Sequence, residues 1–208
     1  MAVIKSGATT DQLTIDPTSK AARVTLYDED GRALAYQSKM TYSAANGFTP
    51  AATPNDLAII YGSATKTVRV ISFKFGANNT AAGSQQYLVQ KKSALPSGGV
   101  FVAATAVPLD SNNDVATATN IGHYTTDPTT GTSLGFINVM RCASPVLIPA
   151  TFAGIVEVAQ FEMLPTDGSG VVQPVTLHGV NEGVCINFAD TALVAGQTHS
   201  YCIVWTEE

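Results

Sequence analysis

Charge is scarce in this chain. Only 13% of its 208 residues are Asp, Glu, Lys or Arg, and the formal net charge is −5. No basic cluster offsets that acidity. Lys91-Lys92 is the densest basic spot, which argues against nucleic acid as a direct partner. Long apolar runs are also missing. None approaches the ~18 residues that mark a membrane-spanning helix, and no basic start followed by an apolar block marks a secretory leader. The expectation is a chain with no membrane partner that folds in a cytoplasm. Cysteine is limited to Cys142, Cys185 and Cys202. An odd number without metal-ligand spacing reads as reduced, buried thiols.

Extended helical periodicity is absent as well. What is present is Ala, Thr, Val, Gly and Ser, the mixture of an all-β protein with an uncharged surface. A chain of this length buries roughly 70% of the surface its unfolded form exposes, so it needs neither disulfide nor metal to fold. From Asp56 onward, short apolar or alternating runs recur between turn residues: Leu57–Tyr61, Thr67–Phe75, Gln85–Lys91, Val100–Pro108, Thr117–Tyr124, Leu134–Met140, Val156–Met163 and Val171–His178. Gly183–Phe188 and His199–Trp205 close the series and are expected to pair. With Phe188 opposite His199, the large apolar residues share one face and Cys185 falls opposite Cys202 on the other. That placement leaves two readings open, a cross-strand disulfide and a pair of thiols. Regular short strands predict a β-sandwich over 56–208, with a jelly roll as the preferred topology.

The first stretch behaves differently. Ile4, Leu13 and Ile15 are apolar points in a polar, turn-rich run. Ala22–Tyr27 alternates, Asp28–Gly31 is a turn sequence, and Arg32–Gln37 can return as a second strand. Residues 1–42 therefore read as an extended arm ending in a β-hairpin, which alone is marginal in water and needs a surface to lie on. Residues 43–55, SAANGFTPAATPN, carry two prolines, a glycine and no strong period, and read as the linker.

No catalytic constellation, cofactor motif or metal site is legible. His123, His178 and His199 each stand alone, outside any recognised motif. Ser169 lies in Asp167-Gly168-Ser169-Gly170, without the strand-to-helix context of a nucleophile elbow. Asp28, Glu29 and Asp30, or Asp110, Asn112, Asn113 and Asp114, could offer oxygens to calcium. Neither run completes a binding loop, and these residues also dominate turns. The expectation is a non-enzymatic protein without cofactor or metal.

The run VIKSGATTDQLTIDPTSKAARVTLYDEDG (Val3–Gly31) resembles N-terminal segments that recur in structural proteins of tailed bacteriophages. YLVQKKSALPSGG (Tyr87–Gly99) and VNEGVCINFADTALVAGQTHSYCIVWTEE (Val180–Glu208) are similar to phage virion proteins too. The resemblance implies an attachment arm carrying a variable β-domain, located in the virion. It implies a capsid decoration, or cement, protein that bridges subunits of the major capsid protein, and a homotrimer. A tail, collar or fibre component contacting the host receptor is the alternative. Ile4, Leu13, Ile15, Val24 and Leu26 are the arm residues expected to contact the partner through sheet-edge pairing. The same residues could instead fold back on their own sandwich or on a sister subunit.

Overall fold

The structure is a computed structural model and describes residues 14–15, 22–23, 39–50, 56–78, 83–144, 160–166, 170–189 and 196–208. The chain divides into two units, Met1–Lys39 and Met40–Glu208. In the first, β1 (Thr14–Ile15) pairs antiparallel with β2 (Ala22–Arg23), placing Ile15 opposite Ala22. The expected hairpin between Ala22–Tyr27 and Arg32–Gln37 lies, apart from Ala22 and Arg23, outside the described residues.

The second unit is all-β. Its strands are β3 (Met40–Phe48), β4 (Asp56–Tyr61), β5 (Val68–Asn78), β6 (Gly83–Lys92), β7 (Val100–Ala103), β8 (Val107–Pro108) and β9 (Thr119–Thr126). Next come β10 (Ser133–Ser144), β11 (Phe161–Glu162), β12 (Val175–Leu177), β13 (Gly183–Phe188) and β14 (Thr198–Glu207). One sheet has the order β10-β6-β13-β4-β9-β7. The other has β11-β5-β14-β3-β8, with β12 also on β5. Every described pairing is antiparallel, and the two sheets pack face to face as a β-sandwich.

Alternation decides what each strand sends inward. On β14, Tyr201, Ile203 and Trp205 are buried while Cys202 and Val204 are only partly so. Val184, Ile186 and Phe188 on β13 meet them in one core cluster. Several polar groups in this core find partners. The Tyr87 hydroxyl lies 3.2 Å from His199 Nε2, and the Tyr201 hydroxyl lies 3.3 Å from His123 Nδ1. Glu207 accepts hydrogen bonds from Thr117, Ala118 and Trp205, which anchors the loop before β9 to the last strand.

Two expectations need correction. Ser43–Phe48, read as linker, belongs to β3, which pairs with β14 along its whole length. The sandwich begins at Met40, so the boundary falls before residue 40 and not at 43–55. Ala, Asn and Gly give this stretch no strand propensity of its own. Continuous backbone pairing, with Tyr42, Ala44 and Phe48 buried, makes it a strand.

The second correction concerns β13 and β14, which do not pair. Phe188 stands opposite Tyr87 in the first sheet, and His199 stands between Phe48 and Ala77 in the second. Alternation had placed both apolar faces correctly, but it could not say that they face each other across the core. Cys185 and Cys202 accordingly project from opposite outer faces of the sandwich, and both are free. A disulfide between them is excluded.

The pairs nest in chain order. β3 with β14 and β5 with β12 lie in the second sheet, while β4 with β13, β6 with β10 and β7 with β9 lie in the first.

Candidate functional site

Of the arm residues expected to bind a partner, Ile15 is in β1 opposite Ala22. Ile4, Leu13, Val24 and Leu26 lie outside the described residues. The histidines are brought neither to a nucleophile nor to each other by hydrogen bonds. His123 and His199 are core residues, stacked on or edge-on to Phe48. Burial pushes the His199 pKa down to about 3, and it lowers that of His123 as well. His178 is exposed, and Ser169 lies outside the described residues. The Asp110–Asp114 loop closes on itself. Asp110 accepts from the Asn112 amide through its side chain and from the Asn113 amide through its carbonyl, an Asx turn that needs no ion. Among the described residues no group of three metal-ligating side chains forms, and no helix is long and apolar enough to cross a membrane.

Large exposed apolar residues collect at the sheet edges. β10 ends the first sheet, and among the described strands it pairs only with β6. On it Leu134, Phe136 and Val139 are exposed, Phe136 by 64% and Val139 by 49%. Phe136 stands opposite Gln90 and Val139 opposite Leu88, so both point away from the core, kept in phase by a bulge between Phe136 and Asn138. At the other side, Val100 on β7, Val107 on β8, and the nearby Leu109 and Val115 are exposed as well. Two open hollows of about 480 and 470 Å3 flank the segment Ala103–Ala106 there, walled mostly by alanine, threonine and other small side chains. An unpaired edge with apolar side chains offers both backbone groups and area to another chain. The signal for the β10 edge was present in Leu134-Gly135-Phe136-Ile137-Asn138-Val139-Met140. Apolar residues at both parities are what a strand covered on both faces carries.

A second feature lies on the outer face of the first sheet, where a polar surface would be expected. Ile59, Tyr61, Tyr124 and Cys185 form a small buried cluster there with Phe101. Gly183 makes room for it: a Cβ at that position would stand 2.6 Å from the Tyr61 ring. Beside the cluster are Asp56 and Lys92, 0% and 1% exposed, whose Oδ1 and Nζ are 3.2 Å apart. The cover is a pair of loop segments, Ser93–Gly99 and Asp127–Thr132, bridged at Ser97 and Thr129. Tyr61 donates to the Ala94 carbonyl and Lys92 to the Gly131 carbonyl. Gly131 approaches Ala94 so closely that any Cβ would collide with its carbonyl. Sequence reasoning missed this centre because Lys91-Lys92 reads only as the densest basic spot of an acidic chain. Their opposite sidedness on β6 is the signal that separates them.

No family model matches the chain, and comparison with curated proteins and with solved structures returns no significant match.

Proposed function

We propose that this chain is a structural component of a tailed-phage virion, and most specifically a capsid decoration protein. In this reading the sandwich stands on the shell and the Met1–Lys39 unit bridges neighbouring copies of the major capsid protein. The observation that carries it is the distribution of exposed apolar side chains: of the described large ones most lie at or near sheet edges, at β10 and around β7 and β8, with Phe161 on the edge strand β11, while Leu95, Val171 and Val180 stand in loops. Such edges suit side-by-side contact between copies, and a homotrimer is the assembly proposed. The separation of a short N-terminal unit from the sandwich supports an attachment role for that segment. The nested strand pairs support the jelly-roll reading of the topology. Many modest contacts repeated by symmetry would supply the stabilisation of the shell through avidity. The open hollows beside Ala103–Ala106 favour the alternative, a tail, collar or fibre component with a receptor-binding β-domain.

Copy number distinguishes the two. Quantitative mass spectrometry of purified virions should give a ratio to the major capsid protein comparable to one, and removal of residues 1–39 should abolish capsid binding while leaving the sandwich folded. A small minority ratio would move the protein to a vertex, collar or tail. A truncated chain that still decorates shells would remove the arm from the account.

A further inference from the structure

The covered centre on the first sheet gathers an amine, a carboxylate and a carboxamide around one oxygen. Lys92, the last residue of β6, places Nζ 3.2 Å from Asp56 Oδ1. Asn187, on the neighbouring strand β13, donates from Nδ2 to that same oxygen at 3.0 Å. The Cys185 thiol donates to it too, at 3.3 Å. Asn187 is 8% exposed, and Asp56 Oδ2 is buried with no hydrogen-bond partner. An ion pair this dry recovers its lost hydration only when its remaining hydrogen bonds are made, and here one carboxylate oxygen has none. Stability alone is therefore a poor account of the arrangement. The three groups do match the parts of an acyl transfer: a nucleophilic amine, an electrophilic carbonyl and a proton carrier touching both. The loop cover and the aromatic rings of Tyr61 and Tyr124 keep out the water that would compete.

We propose that Lys92 and Asn187 join in an intramolecular isopeptide bond, with Asp56 as the catalytic proton carrier. Asp56 takes a proton from the Lys92 ammonium. The freed lone pair on Nζ attacks Cγ of Asn187, forming the Nζ–Cγ bond. Asp56 delivers its proton to Nδ2, and the Cγ–Nδ2 bond breaks. A second Nζ proton follows the same route, so the nitrogen departs as ammonium and Asp56 is restored as a carboxylate. One amide replaces another, and no oxidant or reductant is needed. The bond would tie two adjacent central strands of the first sheet, β6 and β13, and close a loop over most of the sandwich sequence, which constrains the unfolded chain. This inference concerns the sandwich alone and does not depend on the virion reading.

Intact-mass spectrometry of the purified, denatured full-length chain tests it. The expected mass is about 17 Da below that of the sequence, the loss of one ammonia, with a protease-resistant branched peptide joining Lys92 to Asn187. Lys92→Arg, Asn187→Ala and Asp56→Ala should each restore the full mass. Should these variants fail to fold, the wild-type branched peptide decides by itself. A wild-type chain at full sequence mass would overturn the proposal. So would a loss of about 18 Da with Lys92 joined to Asp56, which is amide formation with loss of water. A loss of about 17 Da that maps elsewhere, as a succinimide at Asn46-Gly47, would overturn it as well.

Discussion

His199 shows how a single buried side chain sets a pH limit for the fold. It is packed among Phe48, Phe75 and Tyr87, with its Nδ1 unpaired and Nε2 beside the Tyr87 hydroxyl. Burial lowers its pKa from 6.5 to about 3 in the folded chain, so the unfolded chain binds the proton more readily. Stability from this group is fully present above pH 6.5 and is lost as the pH falls toward 3. By pH 5 the loss should be about 2 kcal/mol, and His123, shifted the same way, adds to it. Urea midpoints measured between pH 8 and pH 5 check this. A midpoint that stays flat over that range would contradict the burial of both rings.

At the scale of elements, β10 is the strand with the most at stake. It is long, it ends a sheet, and Phe136 and Val139 point outward from it. Charges placed there would leave the core untouched, because the residues this strand sends inward are Ile137 and Met140, packed against the core, and Asn138, which reaches the Met163 carbonyl. In the homotrimer proposed above, the double substitution Phe136→Asp, Val139→Asp should weaken the contact between copies at least about tenfold. It should change unfolding stability by no more than ~0.5 kcal/mol, as exposed substitutions usually do. Sedimentation of both proteins across a concentration series reads the first quantity. A monomeric wild type, or association unaffected by the two charges, would mean that β10 is not the contact between copies.

At the scale of the whole sandwich, the last strand is structurally central. β14 lies between β5 and β3 and pairs with both along its length, which brings residues near 200 against residues near 45 and near 75. Removal of residues 198–208 would strip the second sheet of its middle and leave Phe73, Tyr42 and Phe48 without Tyr201, Ile203 and Trp205 across or beside them. The truncated chain should show no cooperative unfolding transition by circular dichroism. A cooperative transition in it would show that the core does not depend on β14.

The all-β class, the alternation of most strands and the burial of Val184, Ile186, Tyr201, Ile203 and Trp205 were legible from the residues alone. They follow from side-chain periodicity, which is local and repeats every two residues. The strand at Met40–Phe48 was not legible, since its small, turn-prone residues carry no such pattern and take their conformation from β14. Partner choice was not legible either: β13 and β14 each alternate correctly, but periodicity fixes the face a strand buries and leaves its neighbour open. The same limit applies to Asp56, Lys92 and Asn187, which are far apart in sequence and share one oxygen only because β4, β13 and β6 lie side by side. The order of residues thus dictates which side chains leave water and in which kind of element. Which of them meet depends on the packed sandwich, because strand pairing between distant segments is a contest among many registers that local pattern leaves open.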